Sequence, residues 1–236
     1  PTMLMACDIK LPETLLAHGW WLTDEHKMSK SIGNVIKPLD LADEFGVDSL
    51  RYYLMRNMVL GQDASFSKES FVKRYNSDLA NDYGNVINRI TILIDKNFDG
   101  LCPEPGEYQK HELKIIEFSE TIIASINKNM QELKIHDALE NIFSLIREIN
   151  KYLEIKQPWK LIKTDKSAKS EAATCLYVTA ELLRISSKLL SPYMPEKTQI
   201  ALESLSQTGE ESLEFGQLLP NIQIKSPGSL FPRIEE

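Results

Sequence analysis

The sequence feature that most constrains the fold is a run of apolar residues spaced three and four apart between positions 71 and 98. They are Phe71, Tyr75, Leu79, Tyr83, Val86, Ile87, Ile90, Ile94 and Phe98. This spacing puts all of these side chains on one face of an α-helix. Ser67 offers an N-cap, and Glu69 puts a carboxylate in the first turn, where the helix dipole favours an anion. The pattern predicts a helix of about 30 residues that Gly100 ends.

The chain after this helix carries more helical patterns. Apolar residues recur at helical spacing over about 113–133, 139–153 and 176–190, and Pro158 and Pro192 end the last two segments. A shorter helix is expected at about 196–205. The proline-containing tail from Glu214 is expected to pack back as irregular chain. Residues 67–236 are therefore predicted to form an antiparallel helical bundle.

Residues 1–66 have a different, mixed character. The short aromatic segment 15–22 predicts a strand, and a polar loop follows it. Pro38 and Gly46 bracket a short helix at about 38–45. Asp48 is expected to cap a second helix that runs to about Met58. The predicted fold class is mainly α, with a small α/β segment at 1–66 before the bundle.

Composition limits the function classes. The chain of 236 residues is 42% apolar and 26% charged, which is typical of a soluble globular protein. It has no long apolar run and no signal-peptide pattern, so neither a membrane partner nor secretion is predicted. Three widely spaced cysteines, Cys7, Cys102 and Cys175, predict buried free thiols in a reducing cytoplasm and neither a zinc site nor disulfides. The net charge of −7 argues against a nucleic-acid partner unless a local basic patch exists.

The segment Lys27-Met28-Ser29-Lys30-Ser31, with Gly33 after it, carries the chemistry of a phosphate site. Ammonium groups can neutralise charge that develops on a leaving phosphate, and serine hydroxyls can donate to phosphate oxygens. Glycine allows backbone conformations that other residues resist. The alternative is a solvated loop of lysine and serine.

This segment is similar to the signature loop of the class I aminoacyl-tRNA synthetases, and its flanks resemble the methionyl-tRNA synthetase family. The flanking segments that carry the resemblance are His18-Gly19-Trp20-Trp21, Asp48-Ser49-Leu50-Arg51-Tyr52-Tyr53, Gly61-Gln62-Asp63 and the run 74–82, RYNSDLAND. The resemblance covers about residues 1–159 and the rest more loosely. Valyl and isoleucyl enzymes share the loop and remain alternatives, against which the run 74–82 argues.

The resemblance implies an activity for the whole enzyme. Such enzymes join methionine to tRNA-Met in two steps, through methionyl-adenylate, with ATP and Mg²⁺. Lys30 is expected to be the catalytic residue that stabilises the pyrophosphate, which is electrostatic catalysis. Lys27, Met28, Ser29 and Ser31 are expected to complete the ATP-binding loop. No metal ligand is assigned.

Three residues are anticodon-binding candidates by the same resemblance. Asn85 and Arg89 are four apart on the long helix, roughly opposite its apolar stripe, where a solvated polar face is the alternative. Trp159 follows Pro158, and the resemblance implies that it stacks on the cytosine of the anticodon CAU. The alternative is a tryptophan that fills the gap under a helix break. Lys156, Lys160 and Lys163 are expected to supply a positive patch.

The resemblance also implies what this chain lacks. No His-x-Gly-His string, cysteine-paired insertion or methionine pocket is present, so the chain is expected to be the C-terminal part of such an enzyme. Residues 1–66 would be the end of a Rossmann-type catalytic domain, and residues 67–236 the anticodon-binding domain. Alone, it is not expected to activate methionine. The alternative from another class is a stand-alone tRNA-binding helical module.

Overall fold

The computed structural model describes residues 1–23, 26–28, 35–207, 209 and 212–235. Its helices and strands follow in chain order: α1 (Thr2–Ala6), β1 (Trp21–Thr23), β2 (His26–Lys27), α2 (Pro38–Phe45), α3 (Val47–Asn57), β3 (Ala64–Phe66), α4 (Lys68–Arg74), a π-helix (Tyr75–Gly84), α5 (Asn85–Asn97), α6 (Lys110–Gln131), α7 (Ile135–Lys156), α8 (Pro158–Leu161), α9 (Lys166–Leu190) and α10 (Pro195–Ser204). The described chain is therefore mainly helical, with a small sheet within its first 66 residues, and this confirms the predicted fold class.

The long helix predicted from the apolar stripe exists, but its middle differs from the prediction. Ser67 caps α4, because its hydroxyl oxygen accepts a hydrogen bond from the backbone N–H of Ser70 at 3.1 Å. Helical chain then continues to Asn97, with the ten residues of the π-helix between α4 and α5. A π-helix turns less per residue than an α-helix, so it changes which side chains of α5 share a face with those of α4. Apolar spacing alone does not reveal such a segment.

Gly84 lies where the π-helix passes into α5, at a point with little room. A Cβ added there would be 2.9 Å from the carbonyl oxygen of Leu79 and 3.5 Å from the ring of Phe231. Phe231 belongs to the C-terminal tail and is buried. The carbonyl oxygen of Leu79 is thus the physical reason for a glycine at this point, while the tail makes an ordinary van der Waals contact.

The bundle core lies between the π-helix, α5, α6, α7 and α9. Residues of α7 and α9 that are fully buried include Leu139, Ile142, Phe143, Ile146, Ile149, Leu153, Leu176, Val178, Leu182 and Leu183. Helices α6 and α7 run antiparallel with a short connection, and α9 packs across both. The predicted helices therefore form, and Pro158 begins a new helix directly after α7 ends.

The tail from Glu214 packs on the bundle as irregular chain, as predicted. Leu218, Ile224, Leu230 and Phe231 are buried. The carboxylate of Glu181, fully buried on α9, accepts hydrogen bonds from the backbone N–H groups of residues 216–218 at 2.7–3.1 Å. The neighbouring Arg184 donates to the carbonyl oxygens of Ser212 and Glu214. A buried ion pair thus satisfies the polar backbone of a segment that has no regular structure.

The first 66 residues correct two predictions. The strand predicted over 15–22 is shorter and later, since β1 covers only Trp21–Thr23; it pairs antiparallel with β2 and parallel with β3. Asp48 does not cap α3, because the cap is Gly46 and Asp48 lies in the first turn. Its carboxylate instead accepts a hydrogen bond from the backbone N–H of Lys197 at 2.7 Å. A contact 149 residues away has replaced the local cap.

Candidate functional site

A break between two helices brings the candidate anticodon residues together. Helix α7 ends at Lys156, and Gln157 takes a left-handed conformation with φ 46° and ψ 56°. Its N–H donates to the carbonyl oxygen of Leu153 at 2.9 Å, which closes the end of α7. Pro158 can follow at once because the first residue of a helix needs no N–H donor. Trp159 is thereby held half-buried at the turn between α7 and α8.

Arg89 of α5 covers the ring of Trp159. Its guanidinium carbon lies 4.0 Å from the ring centroid, a cation–π contact. The same guanidinium donates to a carboxylate oxygen of Glu154 at 2.9 Å, and 29% of the Arg89 side chain is exposed. Asn85, one turn earlier on α5, is exposed. We call these four residues the Arg89–Trp159 corner.

The structure therefore places the three candidate residues on one surface, and it refines how each was interpreted. Asn85 and Arg89 lie off the apolar stripe, as predicted, but Arg89 is partly covered and not simply solvated. Trp159 packs against the core while its ring also meets a cation. The planar guanidinium, the aromatic ring and the amide together offer stacking and paired hydrogen bonds, which unpaired bases require.

The structure corrects the proposed positive patch at one residue. Lys156 is buried, with 6% of its side chain exposed, and it pairs with Glu112 at 3.2 Å and with Glu171. Burial alone would lower the pKa of Lys156, but the two carboxylates hold it above its ordinary value. Lys156 therefore stabilises the packing of α6, α7 and α9, while Lys160 and Lys163 are exposed.

Sequence reasoning missed Glu154, the acidic partner of Arg89. Glu154 is 65 residues from Arg89 and belongs to a different helix. No local pattern links the two positions, and on its own Glu154 looks like an ordinary exposed residue on the polar face of an amphipathic helix. Only the packing of α5 near α7 reveals the pair.

The candidate phosphate loop is described only in part. The ammonium nitrogen of Lys27 lies 3.6 Å from the centroid of the exposed Trp20 ring, and Met28 packs partly against the core. Ser29, Lys30 and Ser31 lie outside the described residues. Lys27 is thus held at the end of β2 by an aromatic side chain of the segment before β1.

Neither a metal-binding cluster nor a membrane-spanning helix is found within the described ranges. No group of three histidine, cysteine, aspartate or glutamate residues in the described part of the chain could hold a metal ion. Among the helices described, none combines the length and the apolar character that crossing a lipid bilayer needs.

Comparison with protein families gives two matches that together cover most of the chain. Residues 1–91 match a model described as tRNA synthetases class I (M). Residues 102–236 match a model described as the anticodon binding domain of methionyl tRNA ligase. The first match ends within α5, and the second begins in the connection from α5 to α6.

Individual relatives agree with these matches. The chain is 41% identical to a methionine–tRNA ligase of Halalkalibacterium halodurans and 39% identical to one of Caldanaerobacter subterraneus, over 100% of this chain in both comparisons. It covers 36% and 37% of those two proteins. A solved Mycobacterium tuberculosis methionyl-tRNA synthetase in complex with methionyl-adenylate superposes with a TM-score of 0.90 at 36% identity, over 99% of this chain and 47% of that chain. The chain thus spans between about a third and a half of the length of these relatives.

Proposed function

Because this chain belongs to the methionine–tRNA ligase family, we propose that it is the part of such an enzyme that carries the ATP loop and binds the anticodon of tRNA-Met. The whole enzyme would join methionine to tRNA-Met through methionyl-adenylate. ATP would enter with Mg²⁺ as its counter-ion. A protein with this role would work in the cytoplasm, where thiols remain reduced.

The observation that carries the anticodon role is the contact between Arg89 and Trp159. An aromatic ring, a guanidinium 4.0 Å from it and the exposed Asn85 are what an unpaired base needs for stacking and for hydrogen bonds to its edge. We propose that Trp159 stacks on the cytosine of CAU, and that Asn85 and Arg89 contact the anticodon bases. Lys160 and Lys163 would contact RNA phosphates, which offsets the negative net charge of the chain locally.

The proposal for the ATP site concerns residues 27–31. Lys30 would stabilise the charge on the pyrophosphate as methionine attacks the α-phosphorus of ATP. Lys27, Met28, Ser29 and Ser31 would form the rest of the loop. The contact of Lys27 with Trp20 supports this role indirectly, because it holds one lysine at the start of the loop. Replacing Lys30 by alanine in the full-length enzyme should slow adenylate formation by roughly 10²–10³-fold, the scale of one lost transition-state contact.

The proposed division of labour follows the sequence. Residues 1–66 would be the end of the catalytic domain, and residues 67–236, from the Ser67 cap onward, the anticodon-binding domain. Adenylate formation by a full-length parent enzyme that contains this chain would rule out the alternative of a stand-alone tRNA-binding module.

The test of the anticodon role is binding of this chain to a short RNA stem-loop with CAU in its loop, at fixed low salt, beside a stem-loop with the cytosine replaced. We expect a preference for CAU. Trp159→Ala should weaken binding of CAU by about 5- to 150-fold, the usual effect of one lost stacked base. It should also abolish the preference for cytosine.

Phe98→Ala is the matched control. Phe98 is also a half-buried aromatic residue with a cation over its ring, since the ammonium of Lys169 lies 5.2 Å from the ring centroid. The Phe98→Ala substitution should leave RNA binding unchanged. Equal losses of RNA affinity in Trp159→Ala and Phe98→Ala would assign both effects to folding. Equal binding of both RNAs by the unmodified chain would reject the anticodon role.

A further inference from the structure

We propose that a second RNA contact lies next to the Arg89–Trp159 corner, in a groove between α6 and α7 that takes another unpaired nucleotide of the anticodon loop. This inference rests on the proposed function and extends it. The groove has a volume of about 450 Å³. We call it the α6–α7 groove, and its walls are Lys110, Lys114 and Phe118 from α6 and Lys151 and Ile155 from α7.

The floor of the groove is apolar. Ile155 is 51% exposed and presents aliphatic surface to the groove. Phe118 is partly buried and Ile115 is buried beneath it. Tyr152 also lines the groove, but its hydroxyl donates to Glu112 at 2.7 Å. The floor can thus contact the face of a base without leaving a polar group unpaired.

The rim of the groove is mainly positive. Lys110, His111 and Lys114 have no ion-pair partner among the residues that the structure describes. Lys151 is weakly paired with Glu148 at 3.3 Å and remains 64% exposed. The carboxylate of Glu112 is buried and paired with Lys156, and that of Glu154 is paired with Arg89. The rim therefore offers unpaired cations to phosphate groups, although the whole chain is acidic.

The α6–α7 groove and the Arg89–Trp159 corner share helix α7. Ile155, in the groove, directly follows Glu154, which binds Arg89 in the corner. Trp159 is four residues further on. Because α6 and α7 are antiparallel, Lys110 and Lys114 lie at the same end of the bundle as the end of α7. An RNA loop with one base on Trp159 would therefore carry a neighbouring nucleotide towards Ile155.

This arrangement fits RNA better than an acidic peptide. An exposed apolar floor with lysines around it matches an unpaired nucleotide, whose base needs an apolar surface and whose phosphate needs a cation. A groove of this kind would contribute affinity more than sequence selectivity, because it offers stacking and charge but few directed hydrogen bonds.

The decisive experiment combines protein variants with abasic RNAs. The stem-loop containing CAU is prepared with one loop nucleotide at a time lacking its base, and each RNA is titrated against the unmodified chain and against Ile155→Ser. We expect Ile155→Ser to weaken binding of the intact loop by about 3- to 10-fold. At one loop position other than the cytosine, removal of the base should weaken binding to the unmodified chain but not to Ile155→Ser. The reason is that the missing base and the missing apolar side chain belong to one contact.

The positive rim is tested by salt dependence. Lys114→Gln should reduce the slope of log affinity against log salt by about 0.7, the value for one phosphate contact of a single strand. Lys128→Gln is the matched control, because Lys128 is an exposed lysine of the same helix at its other end. Its slope should equal that of the unmodified chain.

The outcomes separate this inference from the proposed function. If Trp159→Ala weakens binding but Ile155→Ser does not, the groove proposal is wrong and the anticodon role stands. The same holds if Lys114→Gln and Lys128→Gln give equal slopes. If Trp159→Ala has no effect, the proposed function itself fails. A different result would assign the groove to acidic peptides instead. In that case a polyglutamate peptide would displace RNA only from chains in which Lys114 is unchanged, and no abasic position of the RNA would lose its effect in Ile155→Ser.

Discussion

The three cysteines show how strongly burial controls a side chain of one type. Cys102 and Cys175 are fully buried, and Cys7 is exposed. Burial raises the pKa of the Cys102 thiol to about 12, with a smaller contribution from Glu181. Burial also raises the pKa of the Cys175 thiol to about 12, although Tyr152 and Lys156 oppose this. The sequence predicted buried free thiols, which is correct for Cys102 and Cys175 and wrong for Cys7.

We expect one thiol of the folded chain to react quickly with an aromatic disulfide reagent at pH 8. Cys7 should react because it is exposed, while the other two are buried and remain protonated at this pH. All three should react in urea. Cys7→Ser should remove the fast phase, and a fast phase that survives this substitution would contradict the burial of Cys102 and Cys175.

Glu112 of α6 is linked through buried polar contacts to Tyr152 and Lys156 of α7, and Lys156 in turn pairs with Glu171 of α9. Burial alone would raise its pKa, but the hydroxyl of Tyr152 and the ammonium of Lys156 lower it below the ordinary value. A carboxylate with a depressed pKa in the folded state contributes stability above the pKa of the unfolded chain. That contribution disappears as the pH falls through the folded-state pKa.

Glu112→Gln should therefore destabilise the chain by about 2–4 kcal/mol at pH 7, because Lys156 loses a buried partner. The loss should become smaller as the pH falls through the folded-state pKa of Glu112, where the unmodified chain also loses the charge. Urea unfolding at several pH values measures both effects. Glu117→Gln, at an exposed position of the same helix, is the control, and an equal effect of pH on both variants would rule out this role for Glu112.

At the scale of the element, the junction of α7 and α8 depends on one unusual backbone conformation. Gln157 has φ 46°, where residues with a Cβ are strained and glycine is not. Its N–H donates to the carbonyl oxygen of Leu153, and Pro158 directly follows it at the start of α8. The sequence predicted the end of α7 from Pro158 but not the left-handed residue before it.

Gln157→Gly should stabilise the chain by about 0.5–1 kcal/mol, since the relief of strain exceeds the greater freedom of glycine in the unfolded state. Thermal unfolding followed by circular dichroism measures this change. Glu117→Gly, in the interior of α6, should instead cost about 1 kcal/mol. Destabilisation by both variants would show that Gln157 contributes through its side chain.

At the scale of the whole molecule, stability is unevenly distributed. Residues 8–18 are exposed and lie outside helices and strands. From Val47 onward the chain is tied to the bundle: Arg51 of α3 donates to the carbonyl oxygens of Pro192 and Tyr193, and the hydroxyl of Tyr52 donates to Asp78 at 2.6 Å. The first segment therefore has few contacts to lose, and α3 has many.

Limited proteolysis with a protease of broad specificity should cut first within residues 8–18, because an accessible backbone is cleaved before a packed one. The product that contains α3 and the bundle should persist for much longer. Mass spectrometry of the early products identifies the sites. Early cleavage between α6 and α9 would contradict the packing described for the bundle.

The sequence by itself determined the helical bundle, the main helix boundaries and the candidate residues. Apolar spacing over 71–98, the Ser67 cap and Pro158 are local signals, and local signals are sufficient where a helix buries one face. Asn85, Arg89 and Trp159 were identified by their resemblance to a family, not by geometry.

Only the tertiary structure decided how those residues meet. The contact of Arg89 with Trp159 and Glu154 joins positions 70 and 65 residues apart, and no periodicity reports such a pair. Lys156 shows the same limit: its sequence context indicated an exposed cation, but the packing of α6 and α9 against α7 buried it between two carboxylates. The preferences of single residues and short segments are encoded locally, whereas burial and the choice of partner depend on which distant segments pack together.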